Sequence, residues 1–382
     1  MRQRQWMAMA AVAVALATGG AQAQQPEVKI GVTISATGPA ASLGIPERQA
    51  IGLLPEMLGG LPVKYVVLDD GSDPTAATRN ARKLVDEEKV DAIIGSSTVP
   101  TSLAVSAVAA ETRTPAIGLA PFVPRPEAMD WSFSMPQPVS VMASALFEDM
   151  ARRGVKTLGF VGFNDSYGEA WLKDVQPRAQ ASAIKLVATE RFARTDQSVA
   201  GQTIKLIAAK PDAVLVVGSG TPSALPMNAL RQRGYKGLIY QTHGVANNDF
   251  LRIGGAAVEG AILPAGMLLV AEQLPSEHPS RPAALDFVKR YEEQYGPRSR
   301  DLFAAYAYDS YLVLNKAVSA AAKSQRPGSP AFRQALRDAI ASTRELPGAH
   351  GLISIDPKDH SGYDNRGRVV VTVENGNWKL VK

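Results

Sequence analysis

Short runs of β-branched residues alternate with longer amphipathic segments along most of this 382-residue chain. Val28 to Ile34 and Val63 to Leu68 have the composition of buried strands, and Pro46 to Met57 between them predicts a helix. Asp73-Pro74 begins a second helix with an acidic cap and a proline in its first turn. The alternation continues to about Gly266, which indicates strand–helix–strand units and parallel sheets. We predict an α/β chain with two successive doubly wound halves, each carrying helices on both faces of its sheet.

The pattern changes after Gly266. The remaining residues predict three helices and then two strands, at Pro282–Tyr295, Leu302–Lys323, Pro330–Ser342, Val369–Glu374 and Trp378–Val381. Asn375-Gly376 between the two strands is the signal of a tight hairpin. We expect the helices to complete the first half and the strands to complete the second. This assigns residues 27–138 and 267–348 to lobe I, and residues 139–266 and 349–382 to lobe II.

The N-terminus has the pattern of a secretory leader. Arg2 and Arg4 precede an apolar run from Met7 to Ala17, and Ala21-Gln22-Ala23 supplies the small residues that signal peptidase requires. The apolar run is too short to span a bilayer, so we predict a signal peptide over residues 1–23, cleavage near Ala23 and export to the periplasm. An uncleaved N-terminal anchor is the alternative.

The charge balance argues against a nucleic-acid partner. Lys and Arg number 41 and Asp and Glu 36, and losing two arginines with the leader changes this to 39 against 36, a net charge near +3. No dense basic run interleaved with aromatic residues occurs in the sequence. Cysteine is absent, so an exported protein of this size has to be held by packing, which suits a large periplasmic protein.

The sequence offers no marked catalytic or metal site. The four histidines show no spacing that brings two ligands onto one helix face. Asp356 to His360 is polar, but its spacing fits no calcium loop and predicts a solvated turn. Neither a Gly-x-Ser-x-Gly elbow nor a glycine-rich nucleotide loop is present. We therefore predict no enzymatic activity, no metal and no cofactor.

Six short motifs occur in an order that resembles one family. They are Val28-Lys29-Ile30-Gly31-Val32, Ser35-Ala36-Thr37-Gly38-Pro39, Asp69 to Pro74, Ile93-Ile94-Gly95, Phe163 to Gly168 and Val258-Glu259-Gly260. Together they resemble the type I periplasmic substrate-binding proteins of branched-chain amino acid (leucine/isoleucine/valine) ABC transporters, over essentially the whole mature chain. The resemblance implies two lobes, joined by three hinge segments, that close over a solute. It also implies a monomer whose partner is an ABC permease in the inner membrane.

The first part of a predicted ligand site follows the strand that ends at Gly95. Ser97 and Thr98 bring hydroxyl and N–H groups to the start of a helix, where the helix dipole favours a carboxylate. An ordinary helix cap is the alternative. The resemblance implies that this carboxylate site is completed after the next strand by Ala120 and by a threonine, but Phe122 stands where that threonine is expected. Phe122 is then either an aromatic wall of the site or an ordinary core residue.

The resemblance also places residues of the second half around the ligand. Tyr167 matches a tyrosine that packs over the solute, or else it covers only its own lobe. The loop with Ser219 and Thr221 stands where amino-acid binders carry another tyrosine. Leu43 takes a position at which some relatives have Tyr or Trp, and so leaves room for a larger ligand.

His243 is the main departure from the family pattern. Amino-acid binders carry a glutamate near this position to hold the α-ammonium group, and an imidazole favours a hydroxyl or an anion instead. The expected ligand is therefore a small organic acid, with an aromatic acid as the first candidate. Its carboxylate would lie at Ser97 and Thr98. In the alternative, His243 only satisfies loop carbonyls.

The predicted function is a periplasmic solute-binding receptor of an ABC importer. The alternative function is a ligand-sensing periplasmic domain that presents its solute to a membrane receptor. A sensor would need a membrane span or an obligate partner, and the sequence offers only the leader.

Overall fold

The computed structural model describes residues 26–381, so the predicted leader at residues 1–23 lies outside the described part of the chain. Within residues 26–381 no helix combines the length and apolarity needed to cross a bilayer. The described chain forms two α/β lobes, each built around its own sheet.

The sheet of lobe I is mostly parallel. Its six strands are β1 (Val28–Ile34), β2 (Met57–Leu58), β3 (Leu61–Asp69), β4 (Ala92–Ile94), β5 (Ala116–Gly118) and β6 (Ser132–Ser134). They lie in the order β2-β3-β1-β4-β5-β6, and of these pairs only β2–β3 is antiparallel. The chain turns in opposite directions from β1 and from β4, so their carboxyl ends form the crevice in which sheets of this kind bind ligands.

The sheet of lobe II has a parallel part and an antiparallel edge. The parallel strands are β7 (Thr157–Phe163), β8 (Lys185–Phe192), β9 (Ala213–Val217), β10 (Leu238–Gln241) and β11 (Ile262–Ala265). A separate small ribbon follows, β12 (Leu346–Pro347) with β13 (Leu352–Ile353), and the hairpin β14 (Val369–Glu374) with β15 (Asn377–Leu380) then forms the edge. The order is β15-β14-β11-β10-β9-β7-β8. Here the crevice lies between the ends of β7 and β9.

Eleven α-helices lie within residues 26–381. They are α1 (Ala41–Ile51), α2 (Pro74–Asp86), α3 (Val99–Thr112), α4 (Val139–Arg152), α5 (Ser166–Ala181), α6 (Ala200–Ala208), α7 (Ala224–Gln232), α8 (Asn248–Gly254), α9 (Arg281–Tyr295), α10 (Leu302–Ala321) and α11 (Pro330–Ala341). The long helix α10 packs between α1 and α11, and β14 pairs with β11. The late helix α10 thus packs with helices on both sides, and the final hairpin extends the sheet that contains β11.

The chain passes between the two lobes three times, after β6, after β11 and after α11. Gln137, in the first of these connections, accepts a hydrogen bond from the Tyr306 hydroxyl at 2.6 Å and donates one to the Gly367 carbonyl at 2.6 Å. One buried amide therefore ties the first connection to α10 and to the segment that follows α11.

The first helix starts earlier than the sequence predicts. The sequence predicts a helix from Pro46 to Met57, but α1 extends from Ala41 to Ile51 and Pro46 lies inside it. A 3₁₀ turn at Gly38–Ala40 leads into the helix. Pro46 has no N–H for the carbonyl of Ser42, four residues earlier, and that carbonyl accepts a bond from lobe II instead.

Candidate ligand-binding cavity

A narrow cavity with about 320 Å³ of empty space lies between the lobes. Lobe I contributes Leu43, Ser97, Thr98, Val99, Leu119, Ala120, Pro121, Pro136, Phe303 and Tyr306 to its wall. Lobe II contributes Tyr167, Arg194, Ser219, His243 and Gly244. Little of the space admits a water-sized sphere, so the lobes stand close together in this conformation. Seven of the nine predicted site residues line the cavity, and Phe122 and Thr221 do not.

Thr98 lies at the lobe I end of the cavity as the N-cap of α3. Its hydroxyl lies 2.7 Å from the hydroxyl of Thr101 and accepts the Thr101 N–H at 3.3 Å, while the Thr98 N–H donates to Thr101 Oγ1 at 3.1 Å. The capping alternative is therefore real for the hydroxyl of Thr98. The helix dipole still directs its positive end toward the cavity.

The hydroxyl of Ser97 makes two hydrogen bonds within lobe I. It accepts the N–H of Ser35 at 2.9 Å and is hydrogen-bonded to the carboxyl group of Glu47. Both partners follow β1 in the chain, so the two central strands of lobe I jointly fix this side chain. Glu47 was not predicted as a site residue, because a glutamate in a helix usually faces solvent.

Ala120 supplies the backbone of the next strand end. Within residues 26–381 its N–H makes no hydrogen bond to a protein acceptor, whereas the neighbouring Leu119 N–H donates to the Ser96 carbonyl at 3.1 Å. Phe122 turns away from the cavity and packs back over Gly118, where any side chain at Gly118 would clash with the phenylalanine ring. The Ala120 N–H is thus a free donor at this end.

Tyr167 and His243 form one wall of lobe II. The Tyr167 hydroxyl donates to Thr242 Oγ1 at 2.9 Å, and Trp171 lies beside both rings. Burial lowers the pKa of His243 to about 3, so its imidazole is neutral at neutral pH. Its Nδ1 atom has no hydrogen-bond partner within residues 26–381. The alternative in which His243 satisfies loop carbonyls finds no support at this atom.

The lobes meet where Leu43 of lobe I lies next to the loop of lobe II that carries Ser219 and Thr221. A side chain on Gly220 would meet Leu43 and Ser42 of lobe I, so the loop of lobe II lies directly against α1. The N–H of Thr221 donates to Ser42 Oγ at 3.3 Å, outside the cavity wall. Thr221 therefore contacts the opposite lobe and not the cavity.

Arg194 is a cavity residue that the sequence analysis missed. It follows β8, and its guanidinium donates to Asp165 Oδ2 at 2.6 Å and to Ser219 Oγ at 2.8 Å. The guanidinium carbon also lies 4.2 Å from the centroid of the Phe163 ring. Its position after the carboxyl end of a strand was the available signal, but a single arginine in a polar loop carries little weight. Arg194 therefore brings a guanidinium group, paired with Asp165, to the lobe II side of the wall.

Phe303 and Tyr306, at the start of α10, are further cavity residues that the sequence analysis missed. They come from a helix far along the chain from the other lining residues, so no local motif marks them. Tyr306 is fully buried and bonded through its hydroxyl to Gln137. Its ring can therefore offer the cavity an aromatic surface but no free hydroxyl.

The cavity has the chemistry of an anion site with aromatic walls. Backbone N–H groups, hydroxyls and an arginine contribute donors, and no Asp or Glu is among the described residues of its wall. No group of three or more metal-ligating side chains occurs within residues 26–381. A buried anion needs such donors, whereas a buried ammonium group needs a carboxylate, and none is among the described residues of this wall.

Several solved structures share this fold. An extracellular ligand-binding receptor from Rhodopseudomonas palustris HaA2 is 46% identical, covering 93% of this chain and 100% of that chain, with a TM-score of 0.91. A leucine binding protein from Thermotoga maritima MSB8 is 27% identical, covering 93% and 98%, with a TM-score of 0.80. A solute binding protein from R. palustris, solved in complex with benzoate, is 21% identical, covers 93% and 95%, has a TM-score of 0.79 and is similar in fold.

The match to a family is broader than any single motif. No curated protein gives a sequence match to this chain. The family described as periplasmic binding protein matches residues 27–377, nearly all of the described chain, which confirms the resemblance seen in the six motifs. Its members are solute-binding receptors and not enzymes. This chain belongs to the periplasmic binding protein family and has its type I fold.

Proposed function

We propose that this protein is the solute receptor of an ABC importer and captures a small carboxylate between its lobes. An aromatic or other organic acid is the first candidate. The observation that carries this proposal is the composition of the cavity wall, which holds Arg194 and neutral His243 but no acidic side chain among its described residues. A free α-ammonium group would find no counter-charge there.

The carboxylate would bind on the lobe I side. Ser97, just before α3, and Ala120, just after β5, both line this part of the cavity. The helix dipole at the start of α3 adds about 0.3–1 kcal/mol for an anion at an exposed end. The rest of the ligand would lie against Leu43, Phe303 and the ring of Tyr306. Its distal end would reach His243, whose unpaired nitrogen accepts or donates a hydrogen bond according to its tautomer.

The fold of the relatives is consistent with this assignment. The R. palustris structure that holds benzoate is similar in fold, and the T. maritima relative is a leucine binding protein. Because these relatives differ in the ligand that they bind, the ligand class of this protein is inferred from the residues that line its own cavity. Hinged closure would allow both lobes to contact the solute at once, since each lobe contributes part of the wall.

The cellular setting is part of the same proposal. We propose cleavage near Ala23, a periplasmic location, a monomeric mature protein and an ABC permease of the inner membrane as its partner. Lobe I would comprise residues 27–138 and 267–348, and lobe II residues 139–266 and 349–382. The three passages of the chain between the sheets support a division near these positions.

Calorimetry with a matched ligand pair tests the proposal. Leucine and its keto acid, 4-methyl-2-oxopentanoate, differ only at the α-carbon, where one carries an ammonium group and the other a carbonyl. We expect the purified mature protein to bind benzoate or the keto acid more tightly than leucine, with thermal stabilisation in the same order. Benzylamine is the control for ring binding without a carboxylate. Tighter binding of leucine, or equal binding of benzylamine and benzoate, would contradict the proposal.

A further inference from the structure

Glu47 lies in α1 and contacts Ser97, a residue of the proposed carboxylate site. Its side chain is fully buried, and its Oε2 atom shares a hydrogen bond with the hydroxyl of Ser97 at the cavity wall. Its other oxygen, Oε1, has no hydrogen-bond partner within residues 26–381, and Glu47 makes no ion pair in that range. A carboxyl group removed from water is thus left with one hydrogen bond and no cation.

The charged groups that face Glu47 are both acids. Asp70 follows β3 and Asp301 precedes α10. Asp70 is supplied with donors, namely the hydroxyls of Thr33 at 3.1 Å, Ser35 at 2.7 Å and Ser96 at 2.5 Å and the N–H of Ser72 at 3.1 Å. Asp70 is therefore surrounded by four donors, whereas Glu47 shares a single hydrogen bond with Ser97.

The protonation of Glu47 follows from the same surroundings. Burial raises the pKa of Glu47 well above its usual value, the bond with Ser97 opposes that rise, and the charge of Asp70 adds to it. Burial also raises the pKa of Asp301 to about 8, so that neighbour is largely uncharged at neutral pH. Within residues 26–381 no positive side chain acts on Glu47 to reverse this.

The hydroxyl of Ser97 has one proton and two lone pairs to distribute. One lone pair accepts the Ser35 N–H at 2.9 Å. If Glu47 is ionised, the Ser97 proton has to go to Glu47, and the remaining lone pair meets an anion in the cavity unfavourably. If Glu47 carries a proton, its O–H donates to Ser97 and the Ser97 proton is free to turn toward the cavity.

We propose that Glu47 is a positioning residue that carries a proton at neutral pH and, by donating it to Ser97, makes the Ser97 hydroxyl a hydrogen-bond donor for the bound anion. The donor role rests on the proposed function, because it needs an anionic ligand. The proton on Glu47 is a property of the ligand-free protein. The two parts are therefore measured separately.

Infrared spectroscopy of the ligand-free protein tests the proton. A protonated carboxyl group absorbs apart from a carboxylate, so the difference spectrum between wild type and Glu47→Gln at pH 7 should show the loss of one carboxylic-acid band. Asp301→Asn is the matched control, since it removes a neighbouring buried acid that does not contact Ser97 and should leave the Glu47 band in place. Loss of a carboxylate band alone in Glu47→Gln would overturn the proposal.

Calorimetry with sodium benzoate from pH 6 to pH 10 tests the donor role. The Kd of wild type should begin to rise at the pH at which the Glu47 band disappears, approaching about tenfold per pH unit when only the protonated form binds. Glu47→Gln should bind benzoate without that rise, because its amide donates to Ser97 at every pH. Asp301→Asn should keep the rise. A band that disappears while Kd stays constant, or the same rise in Glu47→Gln, would overturn the donor role.

Two further measurements keep the test decisive. If the Glu47 band persists to pH 10, Ser97→Ala decides, because a donor to the anion should be worth a Kd increase of about tenfold or more, and an unchanged Kd rejects the role. If Glu47→Gln does not fold, Glu47→Met replaces it and should likewise lack the pH dependence. If no carboxylate binds any variant, the proposed function fails and the donor role fails with it, while the infrared result still judges the proton.

Discussion

The side-chain amide of Asn247 in lobe II donates a hydrogen bond to the backbone carbonyl of Ser42 in lobe I, at 3.2 Å. That carbonyl lies inside α1, where it would ordinarily accept the N–H of residue 46, but residue 46 is a proline and has none. Asn247 also caps α8 by accepting the Phe250 N–H at 2.9 Å, so its orientation is fixed. A helix irregularity in one lobe thus provides the acceptor that the other lobe uses in the closed form.

Pro46→Ala should weaken ligand binding without weakening the fold. The new N–H at residue 46 competes with Asn247 for the Ser42 carbonyl, so the closed form loses part of a hydrogen bond worth about 0.5–1.5 kcal/mol, or about 2- to 13-fold in Kd. Calorimetry measures Kd, and small-angle scattering measures closure. Pro177→Ala in α5 is the matched control, because that proline also lies inside a helix and should leave Kd unchanged. An unchanged Kd in Pro46→Ala would mean that this bond contributes nothing to closure.

A methyl group at Gly220 should obstruct closure. Gly220 has φ +66°, and a Cβ atom there would lie 2.7 Å from Ser42 Oγ and 2.8 Å from Leu43 Cδ1, both in lobe I. Gly220→Ala should therefore raise Kd by tenfold or more, about 1.4 kcal/mol, and should shift the scattering of the ligand-bound protein toward the open form. Gly260→Ala is the control, with φ +73° but no atom within 4 Å of the added methyl. If the two substitutions raise Kd equally, the weaker binding is caused by backbone strain and not by contact with lobe I.

Most of the fold could be predicted from the sequence because its strands are short, apolar and separated by helices of ordinary length. The strand at Val28–Ile34 and the hairpin signal at Asn375-Gly376 are in place in the structure. The start of α1 was wrong, since Pro46 has the signal of a first turn but is tolerated inside the helix, where lobe II uses the freed carbonyl. The short strands β2 and β6 and the helix α8 were missed, because two- or three-residue strands and a seven-residue helix leave no periodic pattern.

The cavity was partly predictable for a different reason. Ser97, Thr98 and His243 follow strand ends, where the topology of the sheets requires the crevice to be, so their place in its wall follows from the order of elements. Phe122 also follows a strand, but its ring turned back over Gly118 to fill the space left by that glycine. Arg194 was missed, because only its partners in three dimensions mark it as different from an ordinary surface arginine.

Arg194→Met should reduce anion binding strongly. The substitution removes the positive charge of the cavity wall and the bond to Ser219, and hydrogen bonds to charged groups are worth about 1.5–3 kcal/mol. Asp165 keeps its capping bonds to the N–H groups of Tyr167 and Gly168, so α5 should still form. The expected rise in the Kd for benzoate is about 10- to 150-fold.

The control for Arg194→Met is Arg191→Met. Arg191 pairs with Glu169 at the surface, where side-chain exposures of 44% and 50% allow solvent to screen the pair. Its loss should leave both Kd and the melting temperature nearly unchanged. If both substitutions weaken benzoate binding equally, the effect is one of overall charge, and Arg194 has no special place in the site.

His350 should make the protein less stable in mild acid. Burial lowers its pKa to about 3 although it bonds the Leu302 carbonyl at 2.9 Å, and the unfolded chain takes up the proton near pH 6.5. Below pH 6.5 the unfolded state therefore binds more protons, and the free energy of unfolding of wild type should fall, relative to His350→Gln, by about 1.4 kcal/mol per pH unit. Urea unfolding from pH 7 to pH 4.5 measures this difference.

Comparing wild type with His350→Gln separates the effect of His350 from that of buried acids, which change the stability in the opposite direction as the pH falls. Burial raises the pKa of Asp301 to about 8 and that of Asp309 to about 7, so these acids favour the folded state as the pH falls from 8 toward 4. Both are present in wild type and in His350→Gln, so their contributions cancel. A constant difference between wild type and His350→Gln across this range would mean that His350 titrates alike in both states.

His243→Glu should change the ligand class. The substitution puts a carboxylate where amino-acid binders are expected to hold the α-ammonium group, so leucine should bind more tightly and its keto acid more weakly than in wild type. Without ligand the new carboxylate is buried beside Trp171 with no fixed partner, and we expect a loss of stability of about 1–3 kcal/mol that leucine restores. His243→Gln is the control, since a neutral amide retains hydrogen bonding but supplies no counter-charge. Calorimetry of both variants with the two ligands gives the result. If His243→Glu keeps the preference of wild type for the keto acid, the side chain at residue 243 does not select the charge of the solute, and the selection has to be assigned to Arg194 and the donors of lobe I.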